Sequence, residues 1–301
     1  VVVKIQYPGV DTSVDSDLSH LKLALRASGL VNRVHRRALG RVFAEIRERL
    51  HEELDYTNEA ANVRRFRQHH ASQDFVVVPD VVGERSSKRV LTLTYEASDH
   101  ISELEDKGYD QQTRNQLGQN LFRALASQIF ELHAVQSDPN PANYGFRHDG
   151  TVVLYDFGCV KDIKPNILEW YARTIRAALD ERYDIVEEGL HQVGARNPEV
   201  ALSELPDGYY KSWRDIFIEP LVSETPYDFG ASRIHEKIVK QTPLFFKHMN
   251  AFQPPVELVF VDRAVTGTFG NVKRIGTVAD LRPELESWLA YYRDETGISY
   301  G

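Results

Sequence analysis

The chain has 301 residues, 42% of them apolar, which is enough for a sizeable core in one large or two small domains. Its net charge of −8 argues against a nucleic-acid-binding surface over the whole chain, because such a surface is basic. The single cysteine, Cys159, excludes an intrachain disulfide and a cysteine-cluster metal site. No apolar run approaches the roughly 18 residues that cross a membrane.

The first element, residues 1–6, has the composition of a β-strand and begins without an initiator methionine. We therefore expect the chain to be a fragment of a longer protein. Lys4 lies inside this apolar strand, where burying an ammonium group without a partner is costly. In a nucleotide site such a lysine binds the α- and β-phosphates and pairs with a helix glutamate. The structural alternative is an edge-strand lysine whose ammonium reaches water.

Helices are predicted over residues 11–28 and 36–70. The second carries apolar residues at helical spacing: Leu39, Phe43, Ile46, Leu50 and Leu54. An acidic segment lies near its centre, and one of its acids is expected to face Lys4. Glu53, Asp55 and Glu59 are the candidates.

Residues 75–82 and 89–94 have strand composition and flank a polar turn. Together with the first strand they predict a small antiparallel sheet. Residues 95–98 would then form a linker whose backbone is able to bind an adenine edge. An amphipathic helix over residues 111–133 follows and leads to the next motif.

The most informative stretch places Asp138 five residues before Asn143, then a turn, a short apolar strand over residues 151–155, and Asp156-Phe157-Gly158. Phosphoryl transfer needs one carboxylate to orient or deprotonate the acceptor. It also needs an amide and a second carboxylate to hold Mg²⁺ against the phosphates. These groups occur here in the order found in protein kinases. The structural alternative is an ordinary turn followed by a buried strand.

After residue 158 the sequence predicts helices separated by proline and glycine. The predicted ranges are 165–188, 198–202, 209–221, 234–239, 254–268 and 279–293.

Four segments together resemble the UbiB/AarF group of atypical protein-kinase-like proteins, also called the coenzyme Q-linked atypical kinases. They are residues 3–10 (VKIQYPGV), 53–60 (ELDYTNEA), 136–143 (QSDPNPAN) and 156–158 (DFG). The resemblance implies a two-lobe, protein-kinase-like α+β fold. We expect a partial N-lobe with a small antiparallel sheet over residues 1–97, truncated at its start, and a helical C-lobe over residues 98–301.

The resemblance also implies roles for individual residues. Lys4 resembles the phosphate-binding lysine of an ATP site, and Glu59 resembles its helix partner. Glu53 and Asp55 match the family's Glu-x-Asp motif, which faces the nucleotide. Asp138 resembles the catalytic-loop aspartate. The implied Mg²⁺ ligands are Asn143 and Asp156.

The resemblance implies an ATP-dependent kinase or ATPase that supports ubiquinone or other prenyl-lipid biosynthesis or homeostasis. The implied partners are nucleotide, a prenyl lipid or membrane surface, and other ubiquinone-biosynthesis proteins, with no nucleic acid. The implied location is the matrix side of the mitochondrial inner membrane or the bacterial plasma membrane, as a peripheral protein.

The family's Lys-x-Gly-Gln motif and Ala-rich loop are expected to precede Val1. The His-Arg-Asp and Ala-Pro-Glu motifs of typical protein kinases are absent. Two alternative functions stay open: a pseudokinase scaffold that binds nucleotide and lipid, and a small-molecule kinase of the aminoglycoside or choline type. The phosphoryl acceptor, whether water, a lipid precursor or a protein hydroxyl, also stays open.

Overall fold

The computed structural model describes residues 1–10, 18–21, 23 and 54–300, and these form two compact units. The first unit draws on the described residues within 1–72, 78–96 and 156–159. The second draws on those within 73–77, 97–155 and 160–301.

In the described part of the chain, strands and helices are mixed up to Asp162, and helices dominate after it. In chain order they are β1 Val2–Ile5, α1 Tyr56–His70, β2 Val76–Val77, β3 Val90–Leu93, α2 Gln111–Phe130, β4 Ala134–Gln136, β5 Tyr144–Phe146, β6 Val152–Leu154, β7 Val160–Asp162, α3 Pro165–Leu179, α4 Tyr183–Gln192, α5 Tyr209–Phe217, β8 Tyr227–Asp228, α6 Ile234–Lys247, α7 Val256–Ile275, β9 Val278–Ala279 and α8 Arg282–Thr296. None of the helices in the described ranges is long and apolar enough to cross a bilayer.

The first unit contains an antiparallel ladder in which β1 pairs with β3 and Lys4 lies opposite Leu91. The third strand predicted for this sheet, over residues 75–82, is present only in part. Val81 forms a single antiparallel bridge to Leu93 of β3. The strand β2 is limited to Val76 and Val77, which pair in parallel with β6 of the second unit's sheet. Pro79 follows closely, and a proline cannot donate a ladder hydrogen bond.

The predicted helix over residues 36–70 also needs correction where it is described. Helix α1 begins at Tyr56, after a turn at Leu54, and Asp55 is its N-cap with an extended backbone. The carboxylate of Asp55 accepts a hydrogen bond from the Thr57 N–H, which satisfies a donor that the first helical turn leaves free. The upstream apolar stripe, from Leu39 to Leu50, lies outside the described residues. Residues 18–21 and 23, within the predicted first helix, are helical.

The second unit contains helix α2 and a small sheet in the order β2-β6-β5. The α2 residues Leu117 and Leu121 are buried, as the amphipathic pattern predicted. Strands β5 and β6 form an antiparallel hairpin in which Phe146 lies opposite Val152. Gly150 takes a φ of 87° in the connecting turn, a conformation that strongly favours glycine. The hairpin places the Asp138–Asn143 segment immediately before β5.

The C-terminal helices follow the predicted order with different ends. The range 165–188 is two helices, α3 and α4, because the chain turns at Glu181 with a φ of 57°. The range 209–221 is α-helical only to Phe217, and a 3₁₀ turn at Glu219–Leu221 follows, because Pro220 lacks the N–H that would continue the α-helical ladder. No helix occupies 198–202, where only a 3₁₀ turn at Leu202–Glu204 is present.

Candidate active site

One predicted group, consisting of Lys4, Glu59 and Asp156, is held together within the first unit. The Lys4 Nζ donates to both carboxylate oxygens of Glu59 at 2.9 Å and to Oδ2 of Asp156 at 3.1 Å. The Glu59 side chain is 4% exposed, whereas those of Lys4 and Asp156 are 40% and 36% exposed. The ammonium therefore neutralises a buried carboxylate while it remains accessible to a ligand.

The charges in this group alter one another's protonation. Burial and the Asp156 carboxylate raise the pKa of Glu59, and Lys4 with a Phe157 backbone hydrogen bond offsets only part of that rise. Burial lowers the pKa of Lys4, but the carboxylates of Asp156 and Glu59 outweigh it, so this pKa is raised. Lys4 is consequently a permanent cation at neutral pH, as a phosphate-binding residue must be.

Packing around Phe157 fixes the Asp156-Phe157-Gly158 segment. The Phe157 ring is fully buried, with its centroid 4.8 Å from that of Phe66 on α1. The Asn62 side chain donates to the Phe157 carbonyl at 3.0 Å, and the Gly158 N–H donates to Oδ1 of Asp156 at 2.9 Å. Helix α1 thus carries Glu59 and also supports the segment that carries Asp156.

Of the two acids of the Glu-x-Asp motif, the structure describes only the second. Glu53 lies outside the described residues. The Asp55 Oδ1 accepts from the Thr57 N–H at 3.0 Å and from its hydroxyl at 2.5 Å, and Oδ2 lies 3.6 Å from the Lys88 Nζ. The Thr57 hydroxyl is the main cause of a lowered pKa of Asp55. The structure therefore gives Asp55 a helix-capping role, while its role toward nucleotide stays a prediction.

We expect Asp55→Ala to lower the free energy of unfolding by about 1 kcal/mol, because α1 loses its N-cap. Asp55→Asn keeps an oxygen that caps the helix and is expected to have nearly wild-type stability. Urea unfolding of the three proteins measures this difference. If Asp55→Asn lost nucleotide affinity while its stability stayed unchanged, the predicted role of Asp55 in nucleotide binding would be supported as well. Equal stability of Asp55→Ala and wild type would contradict the capping role.

The second predicted group, Asp138 and Asn143, lies within the second unit. The Asn143 Nδ2 donates to Oδ2 of Asp138 at 2.9 Å and to its carbonyl at 3.1 Å. The loop between them is closed by the Asn143 N–H, which donates to the Asn140 carbonyl at 2.9 Å. The Tyr155 N–H donates to the Asn143 carbonyl at 3.0 Å and joins the loop to the end of the β6 segment.

Helix α7 supplies contacts to this loop that sequence analysis missed. The Arg263 Nη2 donates to Oδ1 of Asp138 at 2.9 Å, and the Asn271 Nδ2 donates to the Pro139 carbonyl at 3.0 Å. Gly267 lies against the same proline, and a Cβ there would come within 2.1 Å of the Pro139 Cγ. The four-residue spacing of Arg263, Gly267 and Asn271 was the available signal, since it places them on one helix face.

The implied Mg²⁺ ligands have suitable donor atoms. Asn143 donates to Asp138 through Nδ2 in both hydrogen bonds, and its amide oxygen takes no part in either. Asp156 offers a carboxylate that is 36% exposed. Amide and carboxylate oxygens suit Mg²⁺, which commonly takes its remaining ligands from phosphates and water. Across the described residues, no group of three or more His, Cys, Asp or Glu side chains is arranged to hold a metal ion.

Comparison with known proteins places these features in context. A family model described as an ABC1 atypical kinase-like domain matches residues 1–190. Atypical kinase COQ8, mitochondrial, of Schizosaccharomyces pombe is 31% identical over 98% of this chain and 47% of its own length. Atypical kinase COQ8B, mitochondrial, of Rattus norvegicus is 31% identical over 89% of this chain and 50% of its own length. The chain therefore spans about half the length of these two relatives.

Two further similarities extend the comparison. Protein ACTIVITY OF BC1 COMPLEX KINASE 7, chloroplastic, of Arabidopsis thaliana is 29% identical over 75% of this chain and 32% of its own length. Among solved structures, the complex of Rv3197 with erythromycin from Mycobacterium tuberculosis matches 95% of this chain and 70% of that chain. Its TM-score is 0.69 at 22% sequence identity. The structural match concerns the fold alone, and it confirms the predicted kinase-like α+β fold.

Proposed function

The chain belongs to the ABC1 atypical kinase-like family, as its motifs predicted, and from this premise we propose that it is an ATP-dependent phosphotransferase or ATPase. We propose further that it supports ubiquinone or other prenyl-lipid biosynthesis or homeostasis. The observation that carries the catalytic part is the Lys4 ammonium, held by the buried Glu59 and by Asp156.

Lys4 binds the phosphates of the nucleotide. Its pairing with Glu59 fixes the position of the ammonium, and its 40% exposure leaves the charge within reach of an anion. Burying Glu59 without a cation would be costly, so the pair is retained when no nucleotide is bound. A preorganised cation of this kind stabilises the charge that develops on the transferred phosphoryl group.

Asp138 acts on the attacking oxygen, as a proton acceptor or by orienting it. Its carboxylate accepts the proton of the attacking group, or orients that group by a hydrogen bond, so that a lone pair points at the γ-phosphorus. Asn143 and Asp156 would hold Mg²⁺, which neutralises phosphate charge when bound. Most of the rate enhancement comes from positioning and charge stabilisation, since phosphoryl transfer leaves the protein little covalent chemistry to perform.

The acceptor and the cellular setting belong to the same proposal. Water or a small prenyl-lipid precursor is preferred over a protein hydroxyl, because the His-Arg-Asp motif of protein-phosphorylating kinases is absent. We propose a peripheral association with a mitochondrial or other organellar membrane, or with a bacterial plasma membrane. The mitochondrial and chloroplastic names of the relatives support an organellar setting.

The test is nucleotide hydrolysis by the full-length protein, measured with and without Mg²⁺ and with and without a prenyl-phenol lipid. We expect turnover that requires Mg²⁺ and rises when the lipid is present. Bound nucleotide without turnover under every condition would reject catalysis and favour the scaffold. A phosphorylated small metabolite formed in place of free phosphate would favour the small-molecule kinase.

A further inference from the structure

Arg263 is an arginine that the family motifs do not include, and it contacts the proposed catalytic aspartate. Its Nη2 lies 2.9 Å from Oδ1 of Asp138, across 125 residues of sequence. The guanidinium side chain is 52% exposed and the carboxylate is 36% exposed. Because Asn143 donates to the other carboxylate oxygen, both oxygens of Asp138 are held by donors from different elements.

The contact is one of three along a single face of α7. Gly267, one turn after Arg263, admits Pro139 close to the helix backbone. Asn271, one turn further, is 2% exposed and donates to the Pro139 carbonyl. The last two contacts fix the backbone of the loop next to Asp138. Arg263 differs from them because it binds the reacting side chain itself.

We infer that Arg263 is a positioning residue that fixes the side-chain orientation of Asp138 for phosphoryl transfer, with α7 as its rigid support. This inference rests on the proposed function. An ionised donor and acceptor form a short and directional hydrogen bond, and a second bond from Asn143 leaves the carboxylate one orientation that satisfies both. Asp138 then presents its remaining lone pairs to the attacking oxygen, without reorganisation when the nucleotide binds.

The test compares Arg263→Ala and Arg263→Lys with Arg274→Ala in the full-length protein. Arg274 is a matched control, because it is an exposed arginine in the last turn of the same helix. We expect Arg263→Ala to lower kcat by about 100-fold with little change in KM, since a misplaced catalytic group costs rate rather than binding. Arg263→Lys keeps the positive charge but not the planar fork, so partial recovery is expected. Arg274→Ala should behave as wild type.

A second readout does not depend on turnover. Amide hydrogen exchange over residues 136–146 should be several-fold faster in Arg263→Ala and in Asp138→Asn, because each removes the same ion pair. The double variant should exchange no faster than either single variant, since only one interaction is lost. Arg274→Ala should leave this exchange unchanged.

The outcomes separate the inference from the function on which it rests. Unchanged exchange in Arg263→Ala, or additive effects in the double variant, would overturn the inference. Faster turnover in Arg263→Ala would also overturn it, because the contact would then be inhibitory. The wild type could hydrolyse no nucleotide while the variants still showed faster, non-additive exchange. That result would reject the proposed function, but it would support the contact by which Arg263 fixes Asp138.

Discussion

Asp138→Asn is expected to lower turnover by about 10³-fold, the range reported for removal of a proton-accepting side chain in general-base catalysis. The asparagine has the same shape and retains an oxygen that accepts from Asn143, so the loop should keep its average conformation, although it opens more often. The lost properties are the negative charge, the ion pair that it forms with Arg263, and the capacity to accept a proton. Steady-state hydrolysis with nucleotide binding measured in parallel checks this, and nucleotide affinity should change little.

Comparison with Asp156→Asn distinguishes the roles of the two aspartates. Asp156 accepts a hydrogen bond from Lys4 and is the predicted metal ligand, so its loss should weaken the Mg²⁺ dependence of nucleotide binding. Asp138→Asn should leave that dependence intact. If Asp138→Asn retained more than about a tenth of wild-type turnover, the proton-accepting role would be ruled out and only orientation would remain.

Lys4→Met should destabilise the first unit by about 2 kcal/mol. Removing one partner of a fully buried pair costs roughly 3–5 kcal/mol, and the 40% exposure of Lys4 reduces this value through solvent screening. The cost arises because Glu59, at 4% exposure, keeps its charge without its cation. Denaturant unfolding measures the change, and an undiminished stability would show that the pair contributes nothing.

The same variant has a definite pH dependence. Lys4 lowers the pKa of Glu59, so its removal raises that pKa further above the ordinary value of 4.5. A carboxyl whose folded-state pKa exceeds its unfolded-state pKa binds its proton more readily in the folded state. The stability deficit of Lys4→Met should therefore be small below pH 4.5 and should grow as pH rises through the raised pKa. A deficit that shrank with rising pH would contradict the assignment.

Two variants serve as controls for this pair. Lys4→Met combined with Glu59→Gln removes both charges, and it should recover part of the lost stability and most of the pH dependence. Lys88→Met removes the 72% exposed partner of Asp55 at 3.6 Å, and an exposed pair contributes about 0.5 kcal/mol or less.

The parts of the site that could be predicted from the sequence are those that a local pattern of residues specifies. The strand that carries Lys4, helix α2 and the β6 strand before Asp156 follow from apolar spacing and turn residues. The chemistry of a lysine inside an apolar strand predicted an acidic partner among Glu53, Asp55 and Glu59, and the family resemblance selected Glu59. Each of these depends on a short segment and a charge that needs a partner.

Long-range features escaped prediction because no local pattern encodes them. The parallel pairing of β2 with β6 joins residues that are 76 positions apart, since Val76 lies opposite Val152. The break before α4 is local, but it escaped prediction because glutamate seldom adopts the positive φ of 57° that Glu181 has here. The contact of Arg263 with Asp138 required knowing which face of α7 meets the loop.

The first unit is assembled from three separate stretches of chain, and this has a consequence for protein synthesis. Phe66 leaves the ribosome roughly 90 residues before the Asp156–Cys159 segment, whose Phe157 ring packs against it. A nascent chain that ends at residue 97 has the sheet and α1 but lacks the Phe157 ring against Phe66. Cotranslational folding of this unit must therefore wait for the start of the second unit to be made. A chaperone that binds exposed aromatic side chains would find its target during that interval.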